Sequence, residues 1–340
     1  MSPDAALALG QRSSRATRGS IRRRLVLLAL AAGAIAGVLV YRHYWLARPV
    51  GAGPAGPPVA RDPFAEPWTT RDVLLLGVGD SVTAGFGSSR PDRSYFALLG
   101  HNSPDDWPDV RGICLSAVLP NLRTENLAVS GSTSIEHEAH LADRLPSQSD
   151  ATLGLVVMTS GGNDLIHSYG RMPPREGAMY GATLEQARPW IANFEERLGR
   201  MLDLVDERFP GGCHVFLADV YDPTDGIGDA QNAGLPPWPD GLAIHRAYND
   251  VIRRCTEARD NVHLVPMHRE FLGHGIHCTQ FWREHYRRDD PHYWYADNLE
   301  DPNDRGYDAI RRLFLIEIAK LAEKLRAGDD SSQTVKQEAD

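Results

Sequence analysis

The sequence predicts an α/β fold, a three-layer α/β/α sandwich with a five-stranded parallel sheet. Two observations predict it. Five short, largely apolar runs of strand length are spaced along residues 73–266, and segments with helical periodicity separate them. Strands that alternate with helices form right-handed β-α-β units, and the resulting parallel sheet is covered on both faces. In such sheets, functional residues gather where the strands end.

The composition indicates one large globular domain with terminal extensions. The chain has 340 residues, of which 42% are hydrophobic and 24% charged, so it can bury a substantial core. The net charge of −9 argues against the basic surface that a nucleic-acid-binding protein requires. The four cysteines have no C-x-x-C spacing, which argues against a zinc knuckle or a thioredoxin-like redox pair.

The N-terminal segment predicts a membrane anchor. Residues 1–24 are basic, with six arginines and one acid, and residues 25–41 contain no charged side chain. Seventeen apolar residues are at the lower limit for crossing a hydrocarbon core of about 30 Å. We therefore predict a single-pass signal anchor, with a cytoplasmic N-terminus and the rest of the chain periplasmic or extracellular. The alternative is a signal peptide cleaved near Ala34–Ala36.

Two further segments flank the predicted domain at 71–326. Residues 47–70 are rich in Pro, Gly and Ala, which predicts an extended, semi-rigid tether. Residues 327–340 are polar and have no apolar periodicity, which predicts a disordered tail.

The strands and two clear helices follow from local pattern. Apolar side chains recur at helical spacing over 184–207 and over 304–326. Thr183 and Gln186 have the spacing of a capping box, whereas Pro189 predicts a kink or a later helix start. The predicted strands are 73–78, 122–129, 154–159, 213–220 and 261–266.

Three strand ends carry residues suited to acyl transfer. Ser81 follows the first strand in G-D-S-V-T-A-G, Gly131 follows the second, and Asn163 follows the third in G-G-N-D. A serine on a tight turn is exposed as a nucleophile, a glycine lets the backbone approach a substrate, and an Asn amide donates to an oxyanion without carrying charge. Each motif alone is also compatible with an ordinary turn. Together they predict Ser81 as nucleophile, with an oxyanion hole formed by Ser81, Gly131 and Asn163.

These motifs resemble those of the SGNH/GDSL hydrolases. Family members carry a nucleophilic Ser in Gly-Asp-Ser, an oxyanion Gly, an oxyanion Asn in G-x-N-D and a late Asp-x-x-His. Ser81, Gly131 and Asn163 match the first three blocks in order. The resemblance implies a flavodoxin-like sandwich and a serine esterase that needs no cofactor and no metal.

The fourth block departs from the family pattern. In D-N-L-E-D-P-N, residues 297–303, Asp301 stands where His is expected. A carboxylate with a pKa near 4 is a poor proton acceptor from a hydroxyl, so the general base is predicted to come from elsewhere. Asp289 and His292 keep the Asp-x-x-His spacing, which predicts His292 as general base and Asp289 as its orienting carboxylate.

Other residues remain open as alternatives. In one alternative, the carboxylate that orients the imidazole is Asp297 or Asp301 instead of Asp289. In another, the general base is His274 or His277 instead of His292. The histidines between 274 and 292 also have spacings compatible with a metal site.

The sequence thus predicts an exported, membrane-anchored serine esterase acting on a carboxylic ester, with an acyl-enzyme on Ser81. The ester is a carbohydrate O-acyl, short-chain or lipid ester, and the oligomeric state stays undetermined. The expected partners are this substrate and, through the N-terminal helix, the membrane, with no nucleic acid. Two alternatives are a catalytically weak or dead binding domain on this fold and a metal-dependent hydrolase built on the 274–292 histidines.

Overall fold

The computed structural model describes the backbone of residues 3–328 and the side chains from Arg22 onward. Residues up to Arg48 form one compact unit, and those from Pro49 form a second. The first unit is helix α1 (Pro3–Tyr41) followed by a π-helical turn, Arg42–Leu46. Within it, the segment Arg22–Leu46 is long and apolar enough to cross a membrane.

The second unit contains the predicted five-stranded parallel sheet. The strands are β1 (Asp72–Val78), β2 (Leu122–Asn126), β3 (Thr152–Thr159), β4 (Cys213–Ala218) and β5 (Val262–Val265). Their order in the sheet is β2-β1-β3-β4-β5, and every neighbouring pair is parallel. This is the order of flavodoxin-like sheets, in which ligands bind at the carboxyl ends of β1 and β3, where the winding direction reverses.

Helices cover both faces of the sheet, so the predicted sandwich is confirmed. Successive side chains of β1 point to opposite faces: Val73 and Leu75 pack with one core, and Leu74 and Leu76 with the other. The helices are α2 (Ser81–Ala84), α3 (Tyr95–Gly100), α4 (Ser134–Arg144), α5 (Gly162–Ile166), α6 (Leu184–Arg208), α7 (Gly241–Glu257), α8 (Met267–Phe271) and α9 (Asp304–Ala319). The first core includes α3 and α9, and the second includes α4, α6 and α7.

The two predicted helices are present, with small differences at their ends. Gln186 N donates to Thr183 Oγ1 at 3.2 Å and Thr183 N donates to Gln186 Oε1 at 2.9 Å, so the predicted capping box is present. Helix α6 starts at Leu184 with Pro189 inside it, so the start is not delayed. Helix α9 ends at Ala319, and helical residues resume at 322–328. The remainder of the predicted tail, 329–340, lies outside the described residues.

The segment predicted as a free tether packs instead on the second unit. Ala55, Phe64 and Trp68 are buried in its core. Arg305 donates to the carbonyl of Pro54 at 3.1 Å, and Ala55 N donates to Asp308 Oδ2 at 3.0 Å. The composition predicted a tether because Pro and Gly are common there, but a few large side chains provide enough apolar surface to fix the segment in place.

Candidate active site

Ser81 lies at the turn between β1 and α2. Gly79 has a φ of +143°, and a Cβ there would lie 2.4 Å from the carbonyl oxygen of Thr159, so only glycine fits this turn. Asp80 caps α2 by accepting a hydrogen bond from Val82 N at 3.1 Å. Ser81 is therefore the first residue of a helical turn and is partly exposed at the carboxyl edge of the sheet.

A buried hydrogen-bond network fixes the turn from below. Thr159 Oγ1 donates to Asp80 Oδ1 at 3.0 Å, and the hydroxyls of Thr159 and Thr83 are hydrogen-bonded at 2.8 Å. The Thr83 hydroxyl is in turn bonded to that of Tyr95 at 2.7 Å. Burial raises the pKa of Asp80 to about 6, and the nearby Asp301 adds to this effect, whereas the hydrogen bonds from Thr159 and Val82 lower it.

The second and third strand ends meet the same edge. Gly131, with a φ of +82°, is exposed, and open space surrounds the position that its Cβ would take. Asn163, the second residue of α5, is buried, and its Nδ2 donates to Ser132 O at 2.9 Å. An amide nitrogen has two hydrogens, so this bond fixes the Asn163 side chain while one N–H remains to donate elsewhere.

His137 on α4 links these two loops, and the sequence reasoning missed it. Its ring nitrogens are hydrogen-bonded to the hydroxyls of Ser160 and Ser132, each at 2.9 Å. Burial lowers the pKa of His137 to about 4, so the ring is neutral at pH 7. One sequence feature could have identified His137: it lies one turn into the helix that follows Gly131, a position that predicts contact with the loops at the strand ends.

At the position where the family has its histidine, the structure places Asp301 beside Ser81. Backbone bonds fold the segment 295–302 into a tight loop, with Tyr295 and Pro302 forming an antiparallel bridge and Ala296 N donating to Asp301 O at 2.7 Å. Burial raises the pKa of Asp301, although the adjacent Ser81 hydroxyl and the Asn298 amide lower it. Among the described residues, no histidine is hydrogen-bonded to Ser81.

His292, the predicted base, lies in a different environment. Its Nδ1 is hydrogen-bonded to Asp290 Oδ1 at 2.5 Å, so Asp290 rather than the predicted Asp289 orients the ring. Asp290 also accepts from Arg305 at 2.8 Å, and the His292 ring lies next to Gly51. The exposed Asp289 has no such contact in the described part of the chain. His292 therefore belongs to the contacts that hold the segment 49–55, and its catalytic role stays a prediction without a supporting contact to Ser81.

The alternative histidines are also engaged in structural contacts. His274 Nδ1 is bonded to the carbonyl of His292 at 3.0 Å, and its ring stacks on Trp294 at 3.4 Å between centroids. His277 Nε2 is bonded to Asp229 Oδ1 at 2.8 Å. Among the side chains of residues 22–328, no three His, Cys, Asp or Glu are grouped as metal ligands.

A cavity of about 170 Å³ lies beside Ser81 and Asn163. His245 also lines it: its Nε2–H donates to Val220 O at 2.8 Å, and its Nδ1 is buried without a hydrogen-bond partner in the described structure. The wall is otherwise largely apolar, which suits an aliphatic group. It includes Leu165, Ile166, Val220, Leu235, Trp238 and Leu242.

Among solved structures, the chain is similar to an extracellular lipase from Streptomyces rimosus, with 21% identity, a TM-score of 0.47, and coverage of 74% of this chain and 100% of that one. It is also similar to the acetylxylan esterase Axe2 from Geobacillus stearothermophilus, with 19% identity, a TM-score of 0.46, and coverage of 74% and 95%. No curated protein matches the chain.

A family model matches most of the second unit. It describes the GDSL-like lipase/acylhydrolase family and covers residues 78–309, which include all three strand-end motifs and Asp301. This span is more than half of the 340 residues. The chain belongs to the GDSL-like lipase/acylhydrolase family, and its activity class is that of a carboxylic ester hydrolase.

Proposed function

We propose that the protein hydrolyses a carboxylic ester through an acyl-enzyme on Ser81. The Ser81 hydroxyl attacks the ester carbonyl, and the Ser81 N–H, the Gly131 N–H and the Asn163 amide stabilise the oxyanion. One observation carries this proposal: Ser81, Gly131 and Asn163 follow three adjacent strands and meet one edge of the sheet. The Asn163 side chain, fixed on Ser132 O, is pre-positioned to donate its second N–H.

The cavity supports an aliphatic acyl group as part of the substrate. Its walls are mostly apolar, and its volume of about 170 Å³ leaves room for an aliphatic chain. Short-chain and lipid esters, and O-acylated carbohydrates with such a chain, all present this group.

Labelling with a fluorophosphonate probe tests the nucleophile. The wild-type protein is expected to react at Ser81, and Ser81→Ala to lose both labelling and hydrolysis of p-nitrophenyl esters. Ser147→Ala, which removes an exposed serine outside the site, serves as the matched control. An absence of labelling and hydrolysis from pH 4 to pH 9 would contradict the proposal.

One observation favours a second candidate, an ester-binding domain without catalysis. No imidazole within the described residues is hydrogen-bonded to Ser81, and a serine without a base is a weak nucleophile. This candidate predicts that the protein binds an ester in the cavity and releases it unchanged. Isothermal titration with a non-hydrolysable ether analogue, compared with turnover of the matching ester, distinguishes the two.

We further propose that α1 anchors the enzyme in a membrane, with the second unit outside the cytoplasm. The support is the apolar segment Arg22–Leu46 and the basic residues before it. Membrane fractions washed at alkaline pH should retain the full-length protein. A protein that appears in the soluble fraction and lacks its first residues would instead indicate a cleaved signal peptide.

A further inference from the structure

The carboxyl group of Asp301 lies beside Ser81 in a fixed orientation. Asn298 Nδ2 donates to Asp301 Oδ2 at 2.6 Å. The other oxygen, Oδ1, is buried, and among the described residues no backbone or amide N–H donates to it, which leaves the Ser81 hydroxyl as its neighbour. Asp301 is only 3% exposed. A buried carboxylate oxygen without a donor is costly, and native structures keep such groups mainly where they serve function.

The geometry repeats a catalytic triad with different residues. In the family the order is Asp-x-x-His; here, at the same spacing, Asn298-x-x-Asp301 places an amide behind a carboxylate and the carboxylate beside Ser81. Asn298 Oδ1 also accepts from Asp301 N at 3.2 Å, so the pair is rigid. The Tyr307 hydroxyl, which donates to Phe86 O at 2.5 Å, joins α9 to the chain that follows α2.

Burial is the main reason that the pKa of Asp301 is raised, whereas the Ser81 hydroxyl and the Asn298 amide lower it. The other ionisable groups near Asp301 are the carboxyl groups of Asp80 and Glu300 and the hydroxyls of Tyr169, Tyr221 and Tyr307. None of these five groups carries a positive charge that would stabilise the carboxylate. Asp301 is therefore more basic than an exposed aspartate, which makes it a better proton acceptor for a serine.

We propose that Asp301 is the general base of this hydrolase and that Asn298 is its positioning residue. The inference rests on the proposed attack by Ser81. As the bond from Ser81 Oγ to the ester carbonyl carbon forms, Asp301 takes the hydroxyl proton and the carbonyl electron pair moves onto oxygen. When the carbonyl re-forms, the departing alkoxide takes that proton from Asp301. In the second half, Asp301 takes a proton from water as the water oxygen attacks the acyl carbon. The bond from that carbon to Ser81 Oγ then breaks, Oγ takes the proton from Asp301, and the acid is released.

His245 is the competing base, because it lines the same cavity. Its backbone contact is at the end of β4, and β3 separates β4 from β1. Two strand spacings amount to about 10 Å, so the ends of β4 and β1 are well separated, and no hydrogen bond joins His245 to Ser81 among the described residues. The two hypotheses make different predictions for single variants.

Removing the carboxylate tests the proposal directly. Asp301→Asn is expected to lower kcat/KM for p-nitrophenyl hexanoate by about 100-fold or more, because general-base catalysis contributes about 10² to 10⁴. The shape of the group is kept, and circular dichroism checks that the variant folds. Asp143→Asn, at an exposed carboxylate on α4, is the matched control and should leave kcat/KM unchanged.

The pH profile separates catalysis from a structural effect. Asn298→Asp keeps the acceptor oxygen but replaces the donor with a second negative charge, so the acid limb of kcat/KM should move to higher pH. The double variant Asn298→Asp/Asp301→His restores the family pattern. It should recover activity that Asp301→Asn loses, with an acid limb near pH 6.5.

Three outcomes contradict parts of this account and can be distinguished. If Ser81→Ala is inactive but Asp301→Asn is fully active, the inference is wrong and the proposed function stands. Loss of activity in His245→Gln, with Asp301→Asn active, assigns the base to the His245 imidazole. If the wild type and the double variant both fail to react with the fluorophosphonate at every pH, the proposed function itself is wrong.

Discussion

Asp80 has two roles in the turn that presents Ser81. It caps α2 through Val82 N, and its carboxyl group interacts with that of Asp301, which raises the pKa of Asp80. Asp80→Asn keeps an acceptor oxygen for the cap but removes the charge. Because a neighbouring negative charge raises the pKa of a carboxyl group, the acid limb of kcat/KM should move to lower pH in this variant. A limb that does not move would show that the two carboxyl groups do not interact.

The same variant makes a prediction about stability. The pKa of Asp80 rises from 3.8 to about 6 on folding, so above pH 4 the unfolded chain ionises before the folded one. The resulting loss of stability grows from pH 4 to pH 6 and then stays constant. The free energy of unfolding of Asp80→Asn minus that of the wild type should therefore be about 3 kcal/mol higher at pH 7 than at pH 4, because the pKa of Asp80 changes by about two units on folding. Urea unfolding at both pH values measures this difference.

His292 provides a sharp contrast with Asp301. Its hydrogen bond to Asp290 and its packing against Gly51 hold the segment 49–55. His292→Ala should lower the free energy of unfolding by about 1 kcal/mol, as expected for one partly buried hydrogen bond, and leave kcat/KM within about twofold. Steady-state kinetics with thermal denaturation checks both values. A 100-fold loss of kcat/KM in a folded variant would restore His292 as the base.

Helix α7 contributes a wall of the acyl cavity, and its first turn carries Leu242. Replacing Leu242 by Trp should fill much of the 170 Å³ and exclude longer acyl chains. Each excluded methylene loses about 0.8 kcal/mol of burial, or about fourfold in kcat/KM. We expect the ratio of hexanoate to acetate turnover to fall at least tenfold, with acetate turnover preserved. An unchanged ratio would show that the acyl chain binds elsewhere.

Each loop or helix start at the sheet edge presents a different group of the proposed site. The turn before α2 presents Ser81, and the loop after β2 presents Gly131. His137 on α4 joins this loop to Ser160 after β3, and its neutral ring adds no charge near the oxyanion. In the proposed reaction this arrangement places rigid donors where negative charge develops, so little reorganisation is needed.

Across the second unit, the segment 49–70 acts as part of the folded domain. It buries Trp68 and Phe64 and receives two hydrogen bonds from Arg305. A chain that begins at Pro49 should be as stable as the full-length protein. One that begins at Arg71 should lose several kcal/mol, since removal of a single buried aromatic side chain costs about 3–5 kcal/mol. Thermal unfolding of the two shortened chains measures the difference, and equal melting temperatures would contradict it.

Local pattern was enough to predict the layers and the meeting of three motifs. Apolar runs of strand length and the helical periodicity of 184–207 depend on neighbouring residues, so they can be read directly. Ser81, Gly131 and Asn163 follow adjacent strands, and parallel strands bring their carboxyl ends to one edge. Pro and Gly content alone did not reveal the packing of 49–70, because a few buried side chains decided it.

The amino-acid order by itself determined the sandwich, its strand ends and the motif of the proposed nucleophile. Only the tertiary structure decided which acidic or imidazole side chain meets the Ser81 hydroxyl. The spacing of Asp289 and His292 is a local pattern, whereas the bridge between Tyr295 and Pro302 carries Asp301 to a serine 220 positions earlier in the chain. The basicity of Asp301 depends on its burial and on its contacts with Ser81 and Asn298, and none of these exists until the chain is folded.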